Sequence, residues 1–241
     1  MSGRELLRKI LSGLAVTVFR PRITGLSQLP KYGPFILAAN HLSFSDHVFL
    51  TLFVPRPLYF VGKAERLGRR GVRGRLSGLF FRGIGMIPVR RDGGRGGVAA
   101  LELSRERIER GLSVGIHPEG TRSPDGRLYR GHTGAAWLSL ATGAPVVPCG
   151  LVGTDQVQSP GRLLFKRVRF GVHFGQPLRP DRYAGREELS LTRRQFTDEI
   201  MRQIQVLSGQ ELVPRFAVKG QAIEAGRAGT ARTSAPAGGP R

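Results

Sequence analysis

The sequence predicts an α/β protein, a single layered domain with a largely parallel or mixed sheet flanked by helices, preceded by an amphipathic N-terminal helix. Two observations lead there. Short apolar runs alternate with helix-length amphipathic stretches, the pattern of strands joined by crossover helices. In addition, 241 residues at 40% hydrophobic content can fill one sizeable core.

Taken in order, Leu6, Leu7, Ile10, Leu11, Leu14 and Val18 recur at helical spacing, with Arg4, Arg8 and Lys9 elsewhere on the wheel. The apolar stretch there, LSGLAVTVF, is nine residues long, well short of the ~20 that span a bilayer. No A-x-A-like site follows, so a signal peptide is not expected. The stretch PRITGLSQLPKYGPFILAAN reads as a short strand, a Pro and Gly turn and a second strand ending near Asn40. DHVFLTLFV is a helix stopped by Pro55-Arg56-Pro57, LYFVGK a strand, the following basic segment largely helical, and GMIPV a strand. A Gly-rich loop, RRDGGRGG, leads to the helix VAALELSRERIERG. LSVGIHPEGTRS is a strand entering a loop, GAAWLSLAT a helix and APVVPCGLVG a strand. Residues 163–175 add a β segment and 186–208 a last amphipathic helix. These readings divide the chain into an N-terminal membrane-associating helix over 1–20, one domain over 21–212 and a disordered basic tail over 213–241.

The formal charge is +21, and residues 56–95 hold eleven Lys or Arg against Glu65 and Asp92. Such a segment suits anionic lipid headgroups. Nucleic-acid binding is the remote alternative, and none is expected, because one Trp, four Tyr and no recognisable RNP or helix-turn-helix signature speak against it. A single Cys excludes an internal disulfide framework.

Two polar stretches interrupt strand ends, where sites of open α/β sheets lie. In AANHLSFSDHVFL, His41 and Asp46 would stand about 140° apart on a continuous helix, so pairing them requires a turn between. Ser43 and Ser45 are N-cap residues for it, and Asp46 suits a first helical turn. An imidazole so held can take a proton from a substrate hydroxyl. His41, Asp46 and His47 match no standard ligand spacing, so no metal site is expected. Ser43 and Ser45 could be nucleophiles beside His41, but a G-x-S-x-G elbow is not expected. In the second stretch, GIHPEGTRSPDG, Gly120 permits close backbone approach and Thr121 offers a hydroxyl. Arg122 there offers a phosphate-binding fork, and Glu119 a hydrogen-bond acceptor for a polyol.

Together, NHLSFSD and PEGTRS, about seventy residues apart, resemble the signatures of the glycerolipid acyltransferase family, whose central members are the 1-acylglycerol-3-phosphate acyltransferases. GMIPVRR between them and APVVP after them match two further signatures in order. The resemblance covers roughly residues 20–180 and makes 21–212 the acyltransferase domain. It implies that His41 is the general base, Asp46 its orienting partner, and Arg91, Glu119, Gly120, Thr121 and Arg122 the acceptor site. It implies transfer from acyl-CoA or acyl-carrier protein to the sn-2 hydroxyl of lysophosphatidate, giving phosphatidate, without a cofactor. Another lysophospholipid or a glycolipid is the alternative acceptor. The expected place is the cytoplasmic face of the cell membrane, on an anionic phospholipid surface, peripheral or monotopic. Two departures stand out: His117 replaces an aromatic or apolar residue, and Cys149 an aliphatic one.

Overall fold

The computed structural model describes residues 3–63, 85–89, 96–158, 165–183, 185–186 and 189–218. The basic segment expected to be helical, the Gly-rich loop up to residue 95, and Arg91 fall outside them, as does everything after 218.

Helix α1 (Gly3–Phe19) precedes strand β1 (Arg22–Thr24), β2 (Ile36–Ala39) and helix α2 (Ser45–Phe53). Next come β3 (Leu58–Lys63), β4 (Met86–Val89), α3 (Gly96–Glu109) and β5 (Ser113–Ile116). The short β6 (Leu128–Tyr129), α4 (Gly134–Thr142), β7 (Val146–Val152) and the one-turn α5 (Thr154–Val157) follow. The described chain closes with β8 (Gly171–Phe174), α6 (Ser190–Ser208) and β9 (Leu212–Val213). Seven strands form one sheet in the order β1-β8-β7-β2-β5-β3-β4. All its pairs are parallel except β7 with β8, so the sheet is mixed as expected.

Strand β2 lies near the middle and is buried on both faces, which is why it reads as an unbroken apolar run. Successive side chains alternate between layers. Leu37 and Ala39 join Val48, Phe49 and Leu52 of α2, while Ile36 and Ala38 join Leu138 of α4 and Phe196, Ile200 and Ile204 of α6. Gly150 lets α6 press onto β7: a Cβ there would lie 2.4 Å from the Leu207 carbonyl carbon. The parallel pairing of β2 with β5 and β7 aligns their carboxyl ends, and both polar stretches therefore emerge side by side.

Helix α1 divides its apolar residues between two surroundings. Leu11, Ala15 and Phe19 pack on the core shared with α2, whereas Leu6, Leu7, Ile10, Leu14, Val16 and Val18 are exposed. Arg8 donates to the carbonyls of Val54 and Pro55 at 2.6 and 3.0 Å, satisfying acceptors at the end of α2 that the helix leaves open. Among the described residues no helix is long and apolar enough to cross a membrane.

Three expectations need correction. The β segment at 163–175 contracts to Gly171–Phe174, the described residues 165–170 before it forming no strand. The last helix starts at Ser190. Residues 213–218, assigned to the tail, lie on the domain: Val213 pairs with Tyr129, the Arg130 N–H donates to the Arg215 carbonyl at 3.0 Å, and Phe216 stacks on His132.

Candidate active site

His41 follows β2, and Asp46 sits in the first turn of α2. Between them the chain folds back on the carboxylate. Asp46 Oδ2 accepts from His41 Nδ1 at 2.9 Å and from the backbone N–H groups of Leu42 and Ser43 at 2.8 Å each. The expected turn is present, but the aspartate builds it rather than the serines. The N-cap position of α2 is Phe44, with no side-chain cap bond. Ser43 Oγ instead donates to the Gln158 carbonyl at 3.3 Å and Ser45 Oγ to Ser43 Oγ at 3.0 Å.

Asp46 is fully buried, which by itself would raise its pKa, yet the hydrogen bond and charge of His41 outweigh this and hold it below the usual carboxylate range. An ionised carboxylate can only accept, so the imidazole proton is fixed on Nδ1 and the lone pair on Nε2. The His41 side chain is 13% exposed against 0% for Asp46. The imidazole thus meets solvent while its carboxylate partner is sealed.

The third-signature loop grips the main chain of His41 from both sides. Glu119 Oε1 accepts the His41 N–H at 3.0 Å, and the Ser123 N–H donates to the His41 carbonyl at 2.7 Å. Glu119 Oε2 accepts from the Tyr129 N–H at 3.0 Å. Glu119 is 1% exposed with both oxygens used on backbone, so it braces two loops and is not presented to a polyol. Burial, above the counteracting backbone hydrogen bonds, pushes its carboxyl up to about 7. Gly120 turns the loop at φ +71°, where a Cβ would approach His132 to 3.0 Å. Thr121 is half-buried and Arg122 exposed at the loop's outer side, free to meet a solvent-borne anion. Arg91 lies outside the described residues.

Sequence reasoning missed the parts that Asn40 and His117 play. Asn40 clamps β7, donating to the Leu151 carbonyl at 2.9 Å and accepting its N–H at 2.7 Å. His117, at the end of β5, donates from Nδ1 to the carbonyls of Ala39 and Asn40 at 2.9 and 3.0 Å. Its ring stacks on His41 with centroids 4.0 Å apart and planes 10° from parallel, and burial first, then repulsion from His41, pushes its pKa down to about 3. Ser113 was also overlooked: the string GLSVG at 111–115 has nucleophile-elbow spacing. Ser113 nevertheless opens a strand, is 2% exposed and accepts from the Phe35 N–H at 3.3 Å, far from the strand-to-helix turn that an elbow requires. Cys149 is buried, which pushes its thiol pKa up, as befits a structural thiol.

Residues 20–152 match the family model named Acyltransferase. The chain belongs to the acyltransferase family. It is 31% identical over 172 residues to a chloroplastic 1-acyl-sn-glycerol-3-phosphate acyltransferase of Brassica napus, a match covering 69% of this chain and 48% of that protein. With the beta form of that acyltransferase from Homo sapiens it shares 31% over 142 residues, 58% of this chain and 47% of the other. The crystal structure of the 1-acyl-sn-glycerophosphate acyltransferase of Thermotoga maritima aligns with a TM-score of 0.63 at 26% identity, covering 84% of this chain and 79% of that one. The chain spans about half the length of the curated relatives it matches. The acyltransferase match contains both polar turns, His41 to Asp46 and 118–123.

Proposed function

We propose that this protein transfers a fatty acyl group from an acyl thioester, acyl-CoA or acyl-carrier protein, to the sn-2 hydroxyl of 1-acylglycerol 3-phosphate, giving phosphatidate. The observation that carries the reading is the 2.9 Å His41–Asp46 pair at the end of β2. Nε2 takes the acceptor's hydroxyl proton as the oxygen attacks the thioester carbonyl, and Asp46 offsets the charge of the imidazolium that forms. The tetrahedral adduct expels the thiolate, to which the imidazolium returns its proton, so no covalent acyl-enzyme is needed. Exposed Arg122, with Arg91, receives the acceptor's phosphate. The names of the relatives support this acceptor, and the solvent-facing leucines of α1 support peripheral attachment to an anionic inner-leaflet surface.

The test is transfer to labelled lysophosphatidate with each donor in turn, alongside an acceptor panel that includes uncharged lysolipids. His41→Ala should lower turnover by about 10²–10⁴-fold with acceptor affinity kept. Full turnover in that variant removes the base.

A further inference from the structure

We propose that His41, His47 and His117 together form a three-imidazole site for a borderline transition-metal cation of the Zn²⁺ type, and that its occupation inhibits the enzyme by capturing the base. The inhibitory part rests on His41 being that base. The cation site itself does not.

The three rings come from two segments. His41 and His47 flank the first turn of α2, and His117 arrives from the end of the neighbouring β5. Their ligand nitrogens all lie within 4.8 Å of one another. His47 meets His41 and His117 edge-on, with centroids 5.0 and 4.8 Å away and interplanar angles of 90° and 80°. No sequence spacing could announce this set, because the third ring is seventy residues removed from the second. That is why the expectation of no metal, drawn from His41, Asp46 and His47 alone, is revised here.

Hydrogen bonding has already prepared two of the three ligands. A metal-binding histidine commonly donates its other ring N–H to a carboxylate or carbonyl, which fixes the tautomer and orients the ring. His41 does this through Nδ1 to Asp46, and His117 through Nδ1 to the carbonyls of Ala39 and Asn40. Both Nε2 lone pairs are thereby left for a ligand, and the buried Nε2 of His117 has no hydrogen-bond partner among the described residues. A buried acceptor with nothing to accept calls for an explanation, and a cation supplies one.

The chemistry of the set selects the ion. Three neutral nitrogens suit Zn²⁺, Co²⁺, Ni²⁺ or Cu²⁺, whereas Mg²⁺ and Ca²⁺ require oxygen ligands. At Zn–N bonds of about 2.0–2.1 Å, tetrahedral ligand atoms stand about 3.4 Å apart. The rings must therefore close in slightly, and His117 and His41 must tilt out of their parallel stack. Binding opens that stack, and it engages the lone pair that would otherwise receive the acceptor's proton.

The experiment uses the full chain, stripped of metal and held in detergent. Co²⁺ is titrated while visible d–d absorption is followed, Zn²⁺ then displaces it, and X-ray absorption on the zinc-loaded wild type counts imidazole neighbours. One Co²⁺ per chain, three imidazoles around zinc, and loss of acyl transfer over the same Zn²⁺ range are expected. Mg²⁺ should not compete. His117→Phe and His117→Asn should each weaken Co²⁺ binding by at least the ~10–100-fold that follows loss of a hydrogen bond behind a ligand, with circular dichroism unchanged. The remaining histidines, His132 and His173, serve as the control, and H132A/H173A should bind Co²⁺ as wild type does.

Absence of d–d absorption, fewer than three imidazoles around zinc, or undiminished binding in both folded His117 variants overturns the site. Such a result leaves the base reading untouched if His41→Ala is inactive. Full transfer by protein carrying zinc on three imidazoles keeps the site and overturns both the inhibition and the role of His41.

Discussion

Asp46 and Glu119 are both buried carboxylates, 0% and 1% exposed, within one cluster of loops, and the fold drives them in opposite directions. Asp46 concentrates an imidazole N–H and two backbone N–H groups on one oxygen and is held ionised. Glu119 spreads two backbone N–H groups over two oxygens, has no cationic partner among the described residues, and titrates near 7. Equal burial therefore decides nothing by itself. The partners decide, and they divide the labour: one carboxylate fixes the proton of an imidazole, the other ties loops together.

The contrast can be broken most severely at Asp46. Asp46→Asn keeps an oxygen for the backbone N–H groups but no longer fixes the proton on Nδ1, and kcat should fall by about 10⁴-fold with little change in KM. Steady-state kinetics decide it, and a loss under tenfold would make the pair structural.

Next in size is a pH effect of Glu119 on stability, measured by urea unfolding in buffer with EDTA. Its pKa rises from 4.5 to about 7 on folding, so over that range the native state keeps a proton that the unfolded chain releases. Stability should fall as pH rises through this window, by on the order of 3 kcal/mol. His117 works the other way: its pKa drops from 6.5 to about 3, so the unfolded chain binds the extra proton and stability rises with pH across that range. The difference between wild type and Glu119→Gln isolates the glutamate. At pH 5 the amide, unable to accept at its nitrogen, should cost about 1–3 kcal/mol; at pH 8, where the wild type carries a buried charge, the two should be nearly equal. A pH-independent difference would contradict the raised pKa.

The smallest effect belongs to Ser43. Asp46 is fed by the Ser43 backbone rather than its hydroxyl, so Ser43→Ala should leave turnover within a few-fold, while loss of that hydroxyl's buried bonds with the Gln158 carbonyl and Ser45 Oγ should cost about 1 kcal/mol of stability. Abolished turnover would reopen a covalent route.

Much of this could be read from the sequence, since elements with a period announce themselves. GAAWLSLAT is a helix over the residues expected, the apolar runs at β2 and β7 are strands covered on both faces, and β3 alternates buried Leu58 and Phe60 with half-buried Tyr59 and Val61. The His41–Asp46 pair was legible because its turn is local. Glu119 was not, since its partners are backbone groups 78 and 10 residues away and nothing in PEGTRS separates a brace from a substrate contact. Strands β6 and β9, two residues each, are too short to carry an alternation. Their pairing nonetheless holds residues 213–218 on the domain. The His117 stack depends on β2 and β5 being neighbours, a fact of topology that composition does not encode.

The guanidinium of Arg8 sits on the last carbonyls of the helix whose opposite end carries Asp46. Trimming the first twenty residues to obtain a more tractable enzyme would therefore do more than remove greasy side chains. It would bare Phe49 and leave the acceptors of Val54 and Pro55 to water, fraying the short rod on which the aspartate is mounted. A truncated preparation should lose rate through its scaffold even on soluble short-chain substrates that never need a bilayer.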